Sequence, residues 1–273
     1  MIYLDYQATT PVDDRVADAV DHASRELWGN PSSPHMLGLK SQQAIEKARH
    51  SIAKALNCRP GELFFTSGAT ESNNWAISTA AGPAGNHIIT SAIEHKSVLD
   101  ACTAFQARGG EVTVLPVDAQ GFVSPDDVVA AIRPNTTLVS IMLANNEIGS
   151  VQPVQDIAAV TRQTGVLFHC DATQGIGYLA PDFSALGANL ISFSGHKIYG
   201  PKGIGALYID KDTQGRHGGF SNLLFGGGQE SGRRPGTQNL TGIVGFAEAV
   251  KISSANYAQE RQRRPIPKAW RAD

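Results

Sequence analysis

An α/β fold, a mainly parallel sheet sandwiched by helices, is what this 273-residue sequence predicts. Three observations predict it. From residue 62 onward, short apolar β-rich runs alternate with helical stretches, which requires crossover connections between parallel strands. Clusters of small and polar residues follow the strands, where ligands gather in such sheets. Glycine, at 28 residues, concentrates in loops between periodic segments rather than in a low-complexity tract.

The elements follow in order. Residues 2–4 are a short apolar run, and 5–11 a polar extended segment whose Pro11 suits the approach to a helix. Val16, Ala19, Val20, Ala23 and Leu27 recur at helical spacing and predict a helix over 14–28. Residues 29–35 are a loop, with His35 an exposed or structural histidine. Helical period returns over 38–57. Strands are expected at 62–66, 87–90, 111–117, 138–143, 166–170, 190–193 and 205–209. Helices are expected at 71–80, 97–108, 124–132 and 153–164.

Composition narrows the function classes. The formal net charge of -2 gives no basis for a nucleic-acid or membrane-surface partner. No apolar run reaches the ~18 residues of a membrane helix, and the N-terminus lacks the layout of a signal peptide, so a cytoplasmic location is expected. Cys58, Cys102 and Cys170 are widely spaced, which argues against a disulfide framework and a zinc site; no metal is expected.

The polar clusters carry the chemistry. Residues 66–74 form a small-residue turn that opens a helix, where free N–H groups and the Thr70 hydroxyl make a phosphate cup and Ser67 or Thr70 can cap the helix. His95 follows the second strand, as a catalytic or a satisfied structural imidazole. Asn145 and Asn146 either orient a polar ligand or shape a turn. Asp171 ends a buried strand and needs a cationic partner, either a ligand cation or an arginine. The loop after residue 193 holds Lys197 among Ser194, Gly195, His196 and Tyr199. Such a lysine is either a solvated turn residue or the Schiff-base partner of an aldehyde cofactor.

The motifs LDYQATTP, GNPSSPH, FTSGATESNN, HIITSAIEH, NNEIG, DATQ, SFSGHKIYGPKGIGALY and GGGQESGRRPGT span residues 4–237. In type and order they resemble the cysteine desulfurases of the NifS/IscS type, in class V of the aminotransferase-like family. The resemblance implies the large domain of fold type I and pyridoxal 5′-phosphate as cofactor. Lys197 would be the Schiff-base lysine that also moves the substrate Cα proton, and His95 would stack on the pyridine ring as an acid/base. Asp171 would pair with the ring nitrogen, Gln174 with the phenolic oxygen, and Asn146 would lie beside cofactor and substrate. Ala69, Thr70, Ser194 and His196 would hold the phosphate. Thr237 would reach the phosphate of a neighbouring subunit in a homodimer. The implied substrate is L-cysteine, converted to L-alanine with sulfur transfer for iron–sulfur cluster assembly, and the implied partner an iron–sulfur scaffold or other sulfur acceptor.

One departure bears on sulfur transfer. The family carries its nucleophilic cysteine in an SSGSAC-like loop of a C-terminal small domain, and no such motif occurs here. The expected organisation is an N-terminal arm and small-domain segment at 1–14, a cofactor-binding large domain at 15–258 and a divergent truncated tail at 259–273. By the same resemblance residues 242–263 begin as the family's long linking helix, with Val244, Ala247, Val250 and Ile252 on the apolar side, and Pro265 and Pro267 in the tail forbid continued helix. The expected alternatives are a selenocysteine lyase or other class V enzyme, and a non-catalytic shortened paralogue that forms mixed dimers.

Overall fold

In chain order, the computed structural model has helices α1 (Asp14–Glu26) and α2 (Met36–Ala55), strand β1 (Leu63–Thr66), α3 (Ala69–Ser78), β2 (His87–Ser91) and α4 (Lys96–Ala107). There follow β3 (Glu111–Leu115), α5 (Pro125–Ala131), β4 (Thr136–Ser140), α6 (Val154–Thr164), β5 (Leu167–Asp171) and α7 (Phe183–Leu186). The chain goes on through β6 (Leu190–Ser194), β7 (Gly205–Ile209), α8 (Lys211–Gly215) and α9 (Leu240–Arg263). The structure describes residues 2–79, 85–179, 182–215 and 220–263. Tail residues 264–273, with Pro265 and Pro267, lie outside the described residues, as does Ala80 at the end of the expected 71–80 helix.

Among the described residues seven strands form one sheet in the order β1-β7-β6-β5-β4-β2-β3. The pairs β2–β3, β2–β4, β4–β5 and β5–β6 are parallel, as the alternation predicts. The exception is β7, which lies antiparallel between β1 and β6. The short return from β6 permits only that direction, since a parallel neighbour needs a crossover. With β7 reversed, β1 still points the same way as β6, so the carboxyl ends of β1, β6, β5, β4 and β2 share one edge of the sheet.

Both faces are buried, by alternation along each strand. Leu63, Phe65, Phe168, Ile191, Phe193, Ala206 and Tyr208 join one core with residues from α1, α2, α6 and α9. Phe64, Leu167, Leu190, Leu207 and Ile209 join the other with Trp75, Ile77, Val98 and Phe105 of α3 and α4. Outer strand β3 leaves Val114 52% exposed, as an edge strand can.

Local chemistry explains the element ends. Asp13 caps α1 by accepting from Arg15 N–H, and Ser124 caps α5, where Pro125 occupies the first turn. Gly165 ends α6 in the left-handed region at φ 72°. His35 is structural, its Nδ1 accepting from Gly38 N–H at 3.3 Å to cap α2. The run expected as strand over 138–143 leaves the ladder after Ser140. Its last residues run on beside β5 through Ile141 N–H to His169 O and Leu143 N–H to Asp171 O, which carries Met142 and Ala144 to the functional edge.

Candidate functional site

At the carboxyl edge of the strands lies a cavity of about 550 Å³. Ala69, Thr70, His95, Asn146, Asp171, Gln174, Ser194, His196 and Lys197 all line it, with Ala8, Thr9, Met142, Thr173 and Lys202. A larger cavity of about 650 Å³ opens at the opposite end of the sheet, around Arg59, Arg162, Asn189 and Asp210, and none of the expected site residues lines it.

The floor is the turn from β1 into α3. Gly68, the cap residue, offers no side chain, so neither Ser67 nor Thr70 caps α3. First-turn N–H groups of a helix have no intrahelical acceptor and attract anions. Ser67 N–H instead donates to Glu71 Oε2 at 2.7 Å, and Glu71 is held by Arg234 through bonds of 2.8 and 3.1 Å. Arg234 thereby joins the GGGQESGRRPGT loop to the cup. Gly205, paired with both Thr66 and Ser194, lets the turn approach closely. A Cβ there would meet Phe193 O at 2.6 Å and Gly68 Cα at 2.8 Å.

Lys197 stands in the loop after β6, half-buried. Its Nζ donates to Gln7 O at 2.5 Å and Ala8 O at 3.0 Å. Burial pulls its pKa below the ordinary lysine value, against the opposing pull of Asp171, Asp5 and Glu147. His196 is likewise lowered by burial, and further by Lys197 and Lys202; its Nδ1 lies 3.1 Å from Thr9 Oγ1. Tyr199 holds φ 63°, an unfavourable conformation for a bulky residue. The N-terminal arm clamps it there: Tyr199 N–H donates to Thr10 Oγ1 at 2.8 Å, and Asp13 N–H to Tyr199 O at 3.0 Å.

Asp171, at the end of β5, is 4% exposed. Its carboxylate accepts from Thr173 N–H at 3.0 Å and Asn73 Nδ2 at 2.7 Å, and among the described residues no arginine pairs with it. His95 caps α4 and lines the cavity at once, with Ser97 N–H donating to its Nδ1 at 3.1 Å. The same ring thus caps a helix and lines the cavity. Gln174 Nε2 donates to Gln7 O at 2.9 Å. The two asparagines of NNEIG differ in place. Asn145 shapes the turn by accepting from Glu147 and Ile148 N–H, while Asn146 lines the cavity and donates to Glu147 Oε1 at 2.6 Å.

Thr237 is exposed and does not line the cavity. None of the three cysteines lines it either. Burial pushes the Cys58 and Cys102 thiols up to about 12 and the Cys170 thiol well above its ordinary value, so none is a ready thiolate. Sequence reasoning gave no role to the backbone of Gln7 and Ala8, nor to Thr9, Asn73, Ser97 or Lys202. Gln7, Ala8 and Thr9 lie within LDYQATTP and Asn73 within FTSGATESNN, but their partners are remote in sequence, whereas Ser97 pairs with its near neighbour His95.

The donor set fits a phosphorylated aldehyde of a pyridine. A lysine amine enters the cavity beside an uncapped helix start and a buried carboxylate. Thr173 Oγ1 also lies buried on the wall without a hydrogen-bond partner.

Comparison with known proteins agrees with this architecture. A cysteine desulfurase IscS of Dictyoglomus turgidum is 45% identical over 265 residues, which cover 96% of this chain and 66% of that protein. The chain spans about two thirds of the length of the curated relatives it matches. A solved NifS-like protein superposes with a TM-score of 0.90 at 42% identity, covering 94% of this chain and 71% of the other. A structure described as SspA in complex with cysteine superposes with a TM-score of 0.86 at 41% identity, covering 92% and 72%. The model of the aminotransferase class-V family matches residues 2–266, almost the whole chain with every wall of the cavity, and the chain belongs to that family.

Proposed function

We propose that the cavity binds pyridoxal 5′-phosphate and that the chain carries the cofactor half of a cysteine desulfurase acting on L-cysteine. The observation that carries this reading is the convergence of Lys197, with its lowered pKa, on the same cavity as the uncapped start of α3 and the Asp171 carboxylate. When bound, the cofactor supplies an aldehyde for an amine and a ring that accepts electrons from the substrate Cα.

The chain's own residues do the rest. The N–H groups of Ala69 and Thr70, the Thr70 and Ser194 hydroxyls and His196 hold the phosphate. Lys197 Nζ, now held by the Gln7 and Ala8 carbonyls, would be the amine that the aldehyde engages and the base that moves the Cα proton of the amino acid. Asp171 would receive the N–H of the ring and keep it protonated. Gln174 Nε2 would donate to the phenolic oxygen, Asn146 would lie beside the substrate, and His95 would stack on the ring and act as acid/base at Nε2. The arm at 1–14 closes the cavity made by residues 15–258. Thr237, exposed and away from its own cavity, serves the phosphate of a second copy in a homodimer.

Sulfur leaves to a thiol other than Cys58, Cys102 or Cys170, since these lie off the cavity and burial disfavours their thiolates. An iron–sulfur scaffold is the acceptor class that fits such a desulfurase. The test is a visible absorption titration with pyridoxal 5′-phosphate, followed by L-cysteine and a sulfide assay with and without added thiol. A band present in the wild type, absent in Lys197→Ala and altered by cysteine is expected, with sulfide appearing only when thiol is added. A wild type without any band would overturn the reading.

A further inference from the structure

Asn73, in the second turn of α3, is 0% exposed and lies outside every role described so far. Its Nδ2 donates one hydrogen to Asp171 Oδ2 at 2.7 Å and the other to Ser97 Oγ at 2.8 Å. Ser97 Oγ lies 2.8 Å from His95 Nδ1. Having accepted from Asn73, the hydroxyl has its own hydrogen left to give to the ring, and Ser97 N–H donates to the same nitrogen. Two donors on Nδ1 leave the neutral imidazole with its hydrogen on Nε2.

The orientation of the amide is settled by its neighbours. Turned over, Asn73 would aim Oδ1 at a carboxylate oxygen, a repulsive contact. As it stands, Oδ1 is buried with no partner. Leaving that acceptor bare is costly, and the cost is offset only if both hydrogens of Nδ2 are needed. A carboxamide is the short neutral side chain that can offer two hydrogens from one atom, and here it spends them on two different walls of the cavity.

We propose that Asn73 is a positioning residue that orients Asp171 and, through Ser97, holds His95 in the tautomer carrying its hydrogen on Nε2. This rests on the reading of Asp171 and His95 as cofactor groups. One side chain then sets both the acceptor for the ring nitrogen and the proton-bearing edge of the stacking imidazole.

The test uses nitrogen-15 histidine NMR of the full chain without cofactor, with the His95 signals assigned by difference against His95→Gln, and equilibrium binding of pyridoxal 5′-phosphate. Wild type, Asn73→Leu and Ser97→Ala are compared. The ratio of Nε2–H to Nδ1–H tautomer at His95 should fall about fivefold in both variants, the scale of one neutral hydrogen bond. Affinity for pyridoxal 5′-phosphate should fall about tenfold in Asn73→Leu, and by less in Ser97→Ala, which leaves the bond to Asp171 in place. An unchanged His95 tautomer ratio in both variants overturns the proposal. If Asn73→Leu does not fold, an unchanged ratio in Ser97→Ala alone overturns it. A wild type that binds no pyridoxal 5′-phosphate defeats the reading of the cavity, while the tautomer ratios still judge the relay.

Discussion

Glu94 is enclosed beside the site, with Ser91 Oγ donating to its Oε1 at 2.6 Å and Met142 N–H at 2.9 Å, while Oε2 is buried without a partner. Burial raises its pKa from the ordinary 4.5 to about 8, with Asp171 adding to the rise. The folded protein therefore holds a proton that the unfolded chain releases above about 4.5, so folding stability falls as pH rises from there to about 8 and then levels off. Glu94→Gln should flatten that slope and stabilise the protein increasingly towards pH 8. Urea unfolding across that range measures it, and a slope the same in both proteins would reject it. Lys197 gives a second expectation. Its amine is nucleophilic only when neutral, and its pKa is lowered by burial. Capture of pyridoxal 5′-phosphate should therefore speed up with rising pH through a midpoint below that of Nα-acetyl-lysine, as rapid-mixing absorbance would show.

Strand β1 is an edge strand whose outer ladder positions are taken by side chains in place of another strand. Arg49 Nη1 donates to Leu63 O at 2.7 Å, and Phe65 N–H donates to Glu230 Oε2 at 3.1 Å. Arg49 and Glu230 face each other in two further bonds of 2.8 Å, both side chains buried, and Gln238 Nε2 donates to Glu230 Oε1 at 3.0 Å. The pair thus seals the sheet edge and anchors the segment that carries Arg234 and Thr237. Glu230→Ala would leave the buried Arg49 guanidinium only the half-exposed Glu46 at 3.2 Å and Leu63 O, and bare the Phe65 amide. Its expected cost is about 3–5 kcal/mol in denaturant unfolding, the range for breaking a buried pair from one side. A change within ~0.5 kcal/mol would show that the edge is held by something else.

The sheet, its two helix layers and the long α9 form the frame that brings the walls of the cavity together. Phe246 of α9 is 0% exposed, stacks on Phe193 of β6 at 5.5 Å between ring centroids and backs the lysine loop. Phe246→Ala should lower stability by about 3–5 kcal/mol, seen as an earlier unfolding midpoint at unchanged m-value. Of α9, the residues 244, 247, 250 and 252 are read from the sequence as the apolar side, yet the deepest are Ile243 and Phe246, because the helix packs against α1 and α2 as well as the sheet. The alternation of runs, the strand ends and the lysine loop were legible in the sequence, since hydrophobic period and small polar clusters are local signals. Nine of the expected side chains duly meet at one cavity. The insertion of β7 between β6 and β1, the Arg49–Glu230 seal and the clamp of Gln7 on Lys197 were not. These are decided by the tertiary structure alone, because the atoms that meet are far apart in the chain: 190 residues for Lys197 and Gln7, 98 for Asn73 and Asp171. Such contacts form only once helices packed on both faces have brought the strand ends to a common edge.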